Sequence, residues 1–144
     1  MKVLFDTSAL IAAFVSAHEQ HERALPYLKR ALAGEIDMVV SAHTLAELYA
    51  TLTVLPITPG ITSGQAQDLI RDNVLSSAEV VGLDASDYVA VIERMARLGL
   101  VSGAIYDALH VRAAERAEAD QLVTCNGRDF RRMPPTPPTE LIVL

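Results

Sequence analysis

The chain has 144 residues, half of them apolar, with no Trp and a single Cys. That length suits one domain spanning 1–144 with a single aliphatic core, and the composition excludes disorder and a disulfide-stapled scaffold. A net charge of −6 argues against a broadly basic nucleic-acid surface, although every cation except Lys2 and Lys29 is Arg, whose planar fork suits phosphate. No run approaches the roughly 20 apolar residues of a spanning helix. Asp6 interrupts the one segment that mimics a secretory leader, so the protein is read as cytoplasmic, with no membrane partner.

Short apolar runs alternate with helical patterns. Strands are expected at Lys2–Phe5, Asp37–Val40, Glu79–Gly82, Gln121–Thr124 and Leu141–Val143, unalternating as strands covered on both faces should be. Ser8–Ser16 and His21–Ala33 read as a helix pair, the second closed by Gly34. Thr44–Leu55 carries Leu at helical spacing, and Pro56 and Pro59-Gly60 break the chain after it. Thr62 with Gln65 offers a capping box for a helix to about Leu75. Asp84 can cap a helix whose apolar face is Tyr88, Val91, Ile92, Met95 and Leu98, ended by Gly99; a last helix spans Ala104–Ala119. Strands alternating with helices predict an α/β fold: a mainly parallel sheet of four or five strands between two helical layers.

In such a sheet, residues just past the carboxyl ends of the strands share one edge, where open α/β folds place their sites. Asp6 follows the first strand, Glu47 lies early in the helix after the second, Asp107 sits in the first turn of Ala104–Ala119, and Asn126 and Asp129 follow Gln121–Thr124. Taken singly, Asp6, Asp107 and Asp129 read as ordinary caps or first-turn acids, and Glu47 as a solvated helix residue. As a set they form an oxygen-rich site for a hard cation such as Mg²⁺ or Mn²⁺, which can generate hydroxide and stabilise charge on a phosphodiester. No His/Cys cluster suits zinc, and no Gly-rich loop suits a nucleotide.

The segments Val3-Leu4-Phe5-Asp6-Thr7-Ser8-Ala9-Leu10, Ser41-Ala42-His43-Thr44-Leu45-Ala46-Glu47, Tyr106-Asp107-Ala108-Leu109 and Leu122-Val123-Thr124-Cys125-Asn126-Gly127-Arg128-Asp129-Phe130 carry a family resemblance in their order and spacing. With them the chain resembles the PIN-domain nucleases, particularly the VapC-type toxins of prokaryotic toxin–antitoxin pairs. The resemblance implies a PIN-like three-layer fold and a metal-dependent endoribonuclease with Asp6, Glu47 and Asp107 as its acidic core. It further implies that Thr7 or Ser8 supports the site, that Thr124 orients a fourth station, and that a cognate antitoxin inhibits, through a basic segment entering the acidic groove. One departure stands out: many relatives have a fourth Asp where this chain has Asn126, with Asp129 three residues later. That keeps open a catalytically weak PIN domain that binds RNA or a partner.

The remaining polar residues are read more plainly. Arg128, Arg131 and Arg132 are candidates for RNA phosphate contacts or solvated charges. His18 and His21, with Glu19 and Glu22, fall at a helix–helix turn and lack a third ligand; His43 is expected to cap, and His110 to pack or face solvent. Arg112 and Arg116 are expected to pair with Glu115, Glu118 or Asp120, and Cys125 to be inert. A phosphoacceptor receiver domain, also doubly wound, is disfavoured because the chain has one Asp after the first strand and no Lys beyond Lys29. Apolar residues on the early helices are compatible with a homodimer.

Overall fold

The structure is a computed structural model that describes all 144 residues. Five strands, β1 (Lys2–Phe5), β2 (Asp37–Ser41), β3 (Glu79–Val81), β4 (Gln121–Thr124) and β5 (Glu140–Val143), form one sheet in the order β3-β2-β1-β4-β5. Every pairing is parallel. Seven α-helices connect them: α1 (Thr7–Phe14), α2 (His21–Leu32), α3 (Ala42–Leu52), α4 (Ser63–Ile70), α5 (Ala85–Arg97), α6 (Ala104–Arg116) and α7 (Gly127–Arg132).

Alternation along the strands divides the core into layers. Val3, Phe5, Met38, Val40 and Val123 face one side, where they pack with Leu10, Leu28, Leu48, Leu52 and Ile70 from α1 to α4. Leu4, Val39 and Leu122 face the other, against Val111 and Ala114 of α6 and Phe130 of α7. A third cluster, Val91, Met95, Ala108, Leu109 and Met133, fastens α5 onto α6. The expected three-layer α/β/α architecture is therefore present, with all five strands close to their anticipated places.

Most helix boundaries follow from local chemistry. Thr62 and Gln65 form the anticipated capping box, and Asp84 forms one with Asp87. Gly99, at φ +65°, closes α5 in a left-handed turn, with the Leu100 amide donating back to the Met95 carbonyl at 3.0 Å. Several expectations need correction. Ser41 ends β2 and caps α3, so that helix starts at Ala42 and stops at Leu52, leaving Leu55 outside it. The α4 helix ends at Ile70 and widens into a π turn over Arg71–Leu75. Of the apolar face expected on α5 only Val91 and Met95 are buried, while Tyr88, Ile92 and Leu98 are exposed.

Arg112 and Arg116 also take a partner from outside their own helix. Asp87, fully buried, accepts from Arg112 at 2.8 Å and from Arg116 at 3.1 Å, whereas Arg112 reaches Glu115 only at 4.0 Å. A buried carboxylate needs such cations. The pairs bind α5 to α6, and α6 carries Asp107.

Candidate active site

Asp6 stands where β1 hands over to α1. Its amide continues the sheet by donating to the Val123 carbonyl, 3.2 Å away. Its side chain caps α1, with Oδ1 accepting from the Ala9 amide at 2.8 Å. Ser8 donates to both carboxylate oxygens at 2.8 and 2.9 Å, and Thr124 donates to Oδ2 at 2.6 Å. The two hydroxyls are themselves oriented by backbone donors: the Cys125 amide donates to Ser8 Oγ and the Asn126 amide to Thr124 Oγ1. Each hydroxyl accepts the amide on one lone pair and gives its single hydrogen to Asp6. Burial pushes the Asp6 carboxyl up from the ordinary Asp range, and His110, Thr124, Ala9 and Ser8 pull against it.

Glu47 projects from α3 into a different set of donors. Thr7 Oγ1 and His110 Nε2, the latter at 3.0 Å, both donate to its Oε2. His43 Nε2 lies 3.2 Å from Oε1, off the alignment of a hydrogen bond and with no other partner. Burial pushes Glu47 up, but the His110 and Thr7 bonds and the charges of His110 and His43 outweigh it and hold the carboxyl down at about 2.

His110, expected to pack or face solvent, is instead a buried link. Because ionised Glu47 only accepts, His110 Nε2 carries a proton. Its Nδ1 meets Ser41 Oγ at 3.1 Å and Thr44 Oγ1 at 3.4 Å. His43 does not cap α3; Ser41 does, accepting from the Thr44 amide.

The third station is held differently. Burial, then the charges of Asp6, Asp129 and Glu47, push Asp107 up to about 6 against the opposing pull of His110. Asn126 Nδ2 faces Asp129 Oδ2 at 2.9 Å and Asp107 Oδ2 at 3.4 Å. Two ionised carboxylates can accept only, so the amide turns its nitrogen to them, and Asn126 bridges the pair as a donor. Asp129 also receives Arg132 at 3.3 Å, so Arg132 is a paired charge, whereas Arg128 and Arg131 are exposed beside it.

Asp6, Thr7, Ser8, Glu47, Asp107, His110 and Asn126 all line one open cleft of about 320 Å³, with Ile11 its single hydrophobic wall. Thr124 and Asp129 stand behind these residues, bonded to Asp6 and Asn126. His18 and Thr51 complete the lining, a placement no local sequence signal announces. The apparent metal box around His18 serves the turn: His18 Nδ1 accepts from the Gln20 amide, and His21 Nδ1 meets the Ala12 carbonyl. No three His, Cys, Asp or Glu side chains close into a ready-made cage. Carboxylates facing an open cleft suit a cation that keeps most of its waters and takes one or two protein carboxylates, as Mg²⁺ does. Burial disfavours the Cys125 thiolate first of all, and Asp6 adds to it, which fits the inert thiol expected.

No helix is long and apolar enough to cross a membrane. The model of the PIN domain matches residues 3–134. Ribonuclease VapC40 of Mycobacterium tuberculosis is 34% identical over 126 residues, covering 88% of this chain and 85% of the relative. Among solved structures, VapBC2 from Rickettsia felis, bound to a DNA fragment from its promoter, superposes with a TM-score of 0.66 at 24% identity, covering 100% of this chain and 98% of that one. VapC20 of M. tuberculosis, a toxin that cleaves the sarcin–ricin loop, gives a TM-score of 0.68 at 19% identity, covering 91% and 95%. These two likenesses speak to the fold. The domain match runs nearly the length of the sequence and the ribonuclease relative covers most of it, so the chain belongs to the PIN-domain family.

Proposed function

We propose that the protein is an endoribonuclease dependent on Mg²⁺ or Mn²⁺, the toxin of a VapBC-type toxin–antitoxin pair. The observation that carries this reading is the gathering of Asp6, Glu47 and Asp107, from three separate parts of the chain, around one open cleft at the carboxyl edge of the sheet. The 34% identity to a VapC ribonuclease supports the reaction, and likeness to a VapBC complex supports an antitoxin partner. The single Cys, unable to form an internal disulfide, supports a cytoplasmic setting.

Asp6, Asp107 and Glu47 would hold the ion, with Asn126 and Asp129 adjoining. A divalent ion bound there supplies hydroxide from water at neutral pH and offsets charge on the phosphodiester. The chain's own part is positioning and charge. Ser8 and Thr124 lock Asp6 in one rotamer. Thr7 and His110 keep Glu47 ionised and aimed into the cleft. Arg128 and Arg131, exposed beside the fourth station, are placed to meet backbone phosphates. A basic antitoxin side chain entering the cleft would satisfy the same carboxylates and exclude the ion. Exposed Leu32, Tyr49, Val54 and Leu75 support a homodimer, which light scattering at rising concentration would detect.

Asp6→Asn and Asp107→Asn test the assignment. Each is expected to lower metal-dependent RNA cleavage by about a thousandfold, the order expected when several kcal/mol of charge stabilisation is lost, with circular dichroism unchanged. Undiminished cleavage by both variants removes the site. Asn126 favours a second reading, a weakly catalytic PIN domain that binds RNA or a partner, since its amide donates where a ligand oxygen was expected. RNA binding with neither Mn²⁺ binding nor cleavage would establish that reading instead.

A further inference from the structure

Tyr106 directly precedes Asp107 in the first turn of α6, and 51% of it is exposed. One face of its ring is covered by His43, whose imidazole lies nearly parallel, 6° away in tilt with centroids 5.1 Å apart. His43 in turn has Nε2 3.2 Å from Glu47 Oε1, close but not aligned for a hydrogen bond, and its ring 6.0 Å from that of His110. The two rings thus form a stacked pair beside the candidate carboxylates, with half of Tyr106 left to solvent. Tyr49 and Tyr88 are comparably exposed, but neither is stacked on another ring or adjoins a cleft carboxylate.

We propose that the Tyr106–His43 pair is a nucleobase platform, on which an unpaired base of the RNA stacks beside the bond to be cut. The proposal rests on the ribonuclease reading and extends it to the residue pair that would hold a base. The ion the carboxylates would hold and the exposed Arg128 and Arg131 act on the phosphate backbone, so hold on a base must come from uncharged contact. An aromatic face supplies that contact to any base. A base inside a duplex has its faces covered by its neighbours, so the platform selects single-stranded or looped RNA, whose bases can be splayed out.

The chain has no Trp, so Tyr106→Trp places a single fluorophore on the platform. Mixed with single-stranded RNA in Mg²⁺ in a stopped-flow instrument, its emission is expected to be quenched before cleavage. The same sequence in a duplex should leave the emission unchanged, and an abasic nucleotide at one position should remove the quench. Tyr106→Ala is expected to raise KM about tenfold, with Tyr106→Phe restoring it, because the ring and not the hydroxyl carries the contact. RNA that binds by anisotropy without changing the emission overturns the platform and leaves the ribonuclease reading standing. A chain that binds no RNA in any form overturns both.

Discussion

The two halves of the cleft are built on opposite principles. Around Asp6 and Glu47 every carboxylate oxygen meets a donor or a His ring, and the Ser8 and Thr124 hydroxyls are oriented by backbone amides. Around Asp107 and Asp129 two carboxylates share one amide, Arg132 reaches only Asp129, and burial first, then the neighbouring charges, drives Asp107 up to about 6. The first half is organised by the fold before anything binds. The second is a surplus of negative charge that a cation would relieve. The site is half scaffold and half unbalanced charge, and the two halves should fail differently when altered.

Stability separates them most. Removing a buried donor leaves a buried acceptor unsatisfied, at a cost of about 1–3 kcal/mol. Thr124→Val, which strips the 2.6 Å bond from Asp6, should show a loss of that size in urea unfolding. Asn126→Ala, at the looser half, should change stability by less than about 0.5 kcal/mol, as expected away from such networks. Equal losses would erase the distinction between the halves.

His110 comes next. It donates to Glu47 through Nε2 and meets Ser41 through Nδ1. His110→Phe keeps the bulk and removes both bonds. Cleavage should drop by about a hundredfold, the scale of a lost positioning hydrogen bond, and the pH profile should shift because Glu47 is freed to rise. A profile identical to wild type would show that His110 only packs.

The smallest effect is a pH dependence in EDTA. Asp107 is raised in the fold, so its contribution to stability is fully present below the ordinary value of 3.8 and is lost as pH rises through about 6. Glu47 is depressed, so its contribution is present above 4.5 and is lost only as pH falls through about 2. Above pH 4.5 the contribution of Glu47 is constant, while those of Asp107 and of the buried Asp6, both raised, fall as pH rises. The melting temperature without metal should therefore decline between pH 4.5 and 6, and Mg²⁺ should flatten the decline by binding the folded state. A melting temperature rising over the same interval would contradict the charge surplus.

How much was legible in the sequence follows from how local each signal was. Strands buried on both faces read as apolar runs, and Asp6, Glu47 and Asp107 lay just past strand ends or in first turns, so strand–helix alternation alone put them on one edge. The role of His110 was hidden because its partner, Glu47, is 63 residues away and on another helix. Arg112 and Arg116 had acids close by in sequence, yet a carboxylate sealed between α5 and α6 outcompeted them. The short α7 was masked by Gly127, which reads as a turn; a Cβ there would come within 2.7 Å of Val143, so this glycine is set by tertiary packing against β5. Asn126 was read as an oxygen ligand, because the two acids that turn its nitrogen inward are assembled only by the fold.

The most direct test of the central claim is a Mn²⁺ titration followed in parallel by metal binding and RNA cleavage, on the wild-type chain and on Asp107→Asn. Binding and cleavage should saturate together in the wild type, and both should collapse in the variant while its fold persists. Cleavage that continues in EDTA, or survives undiminished in Asp107→Asn, would contradict that claim.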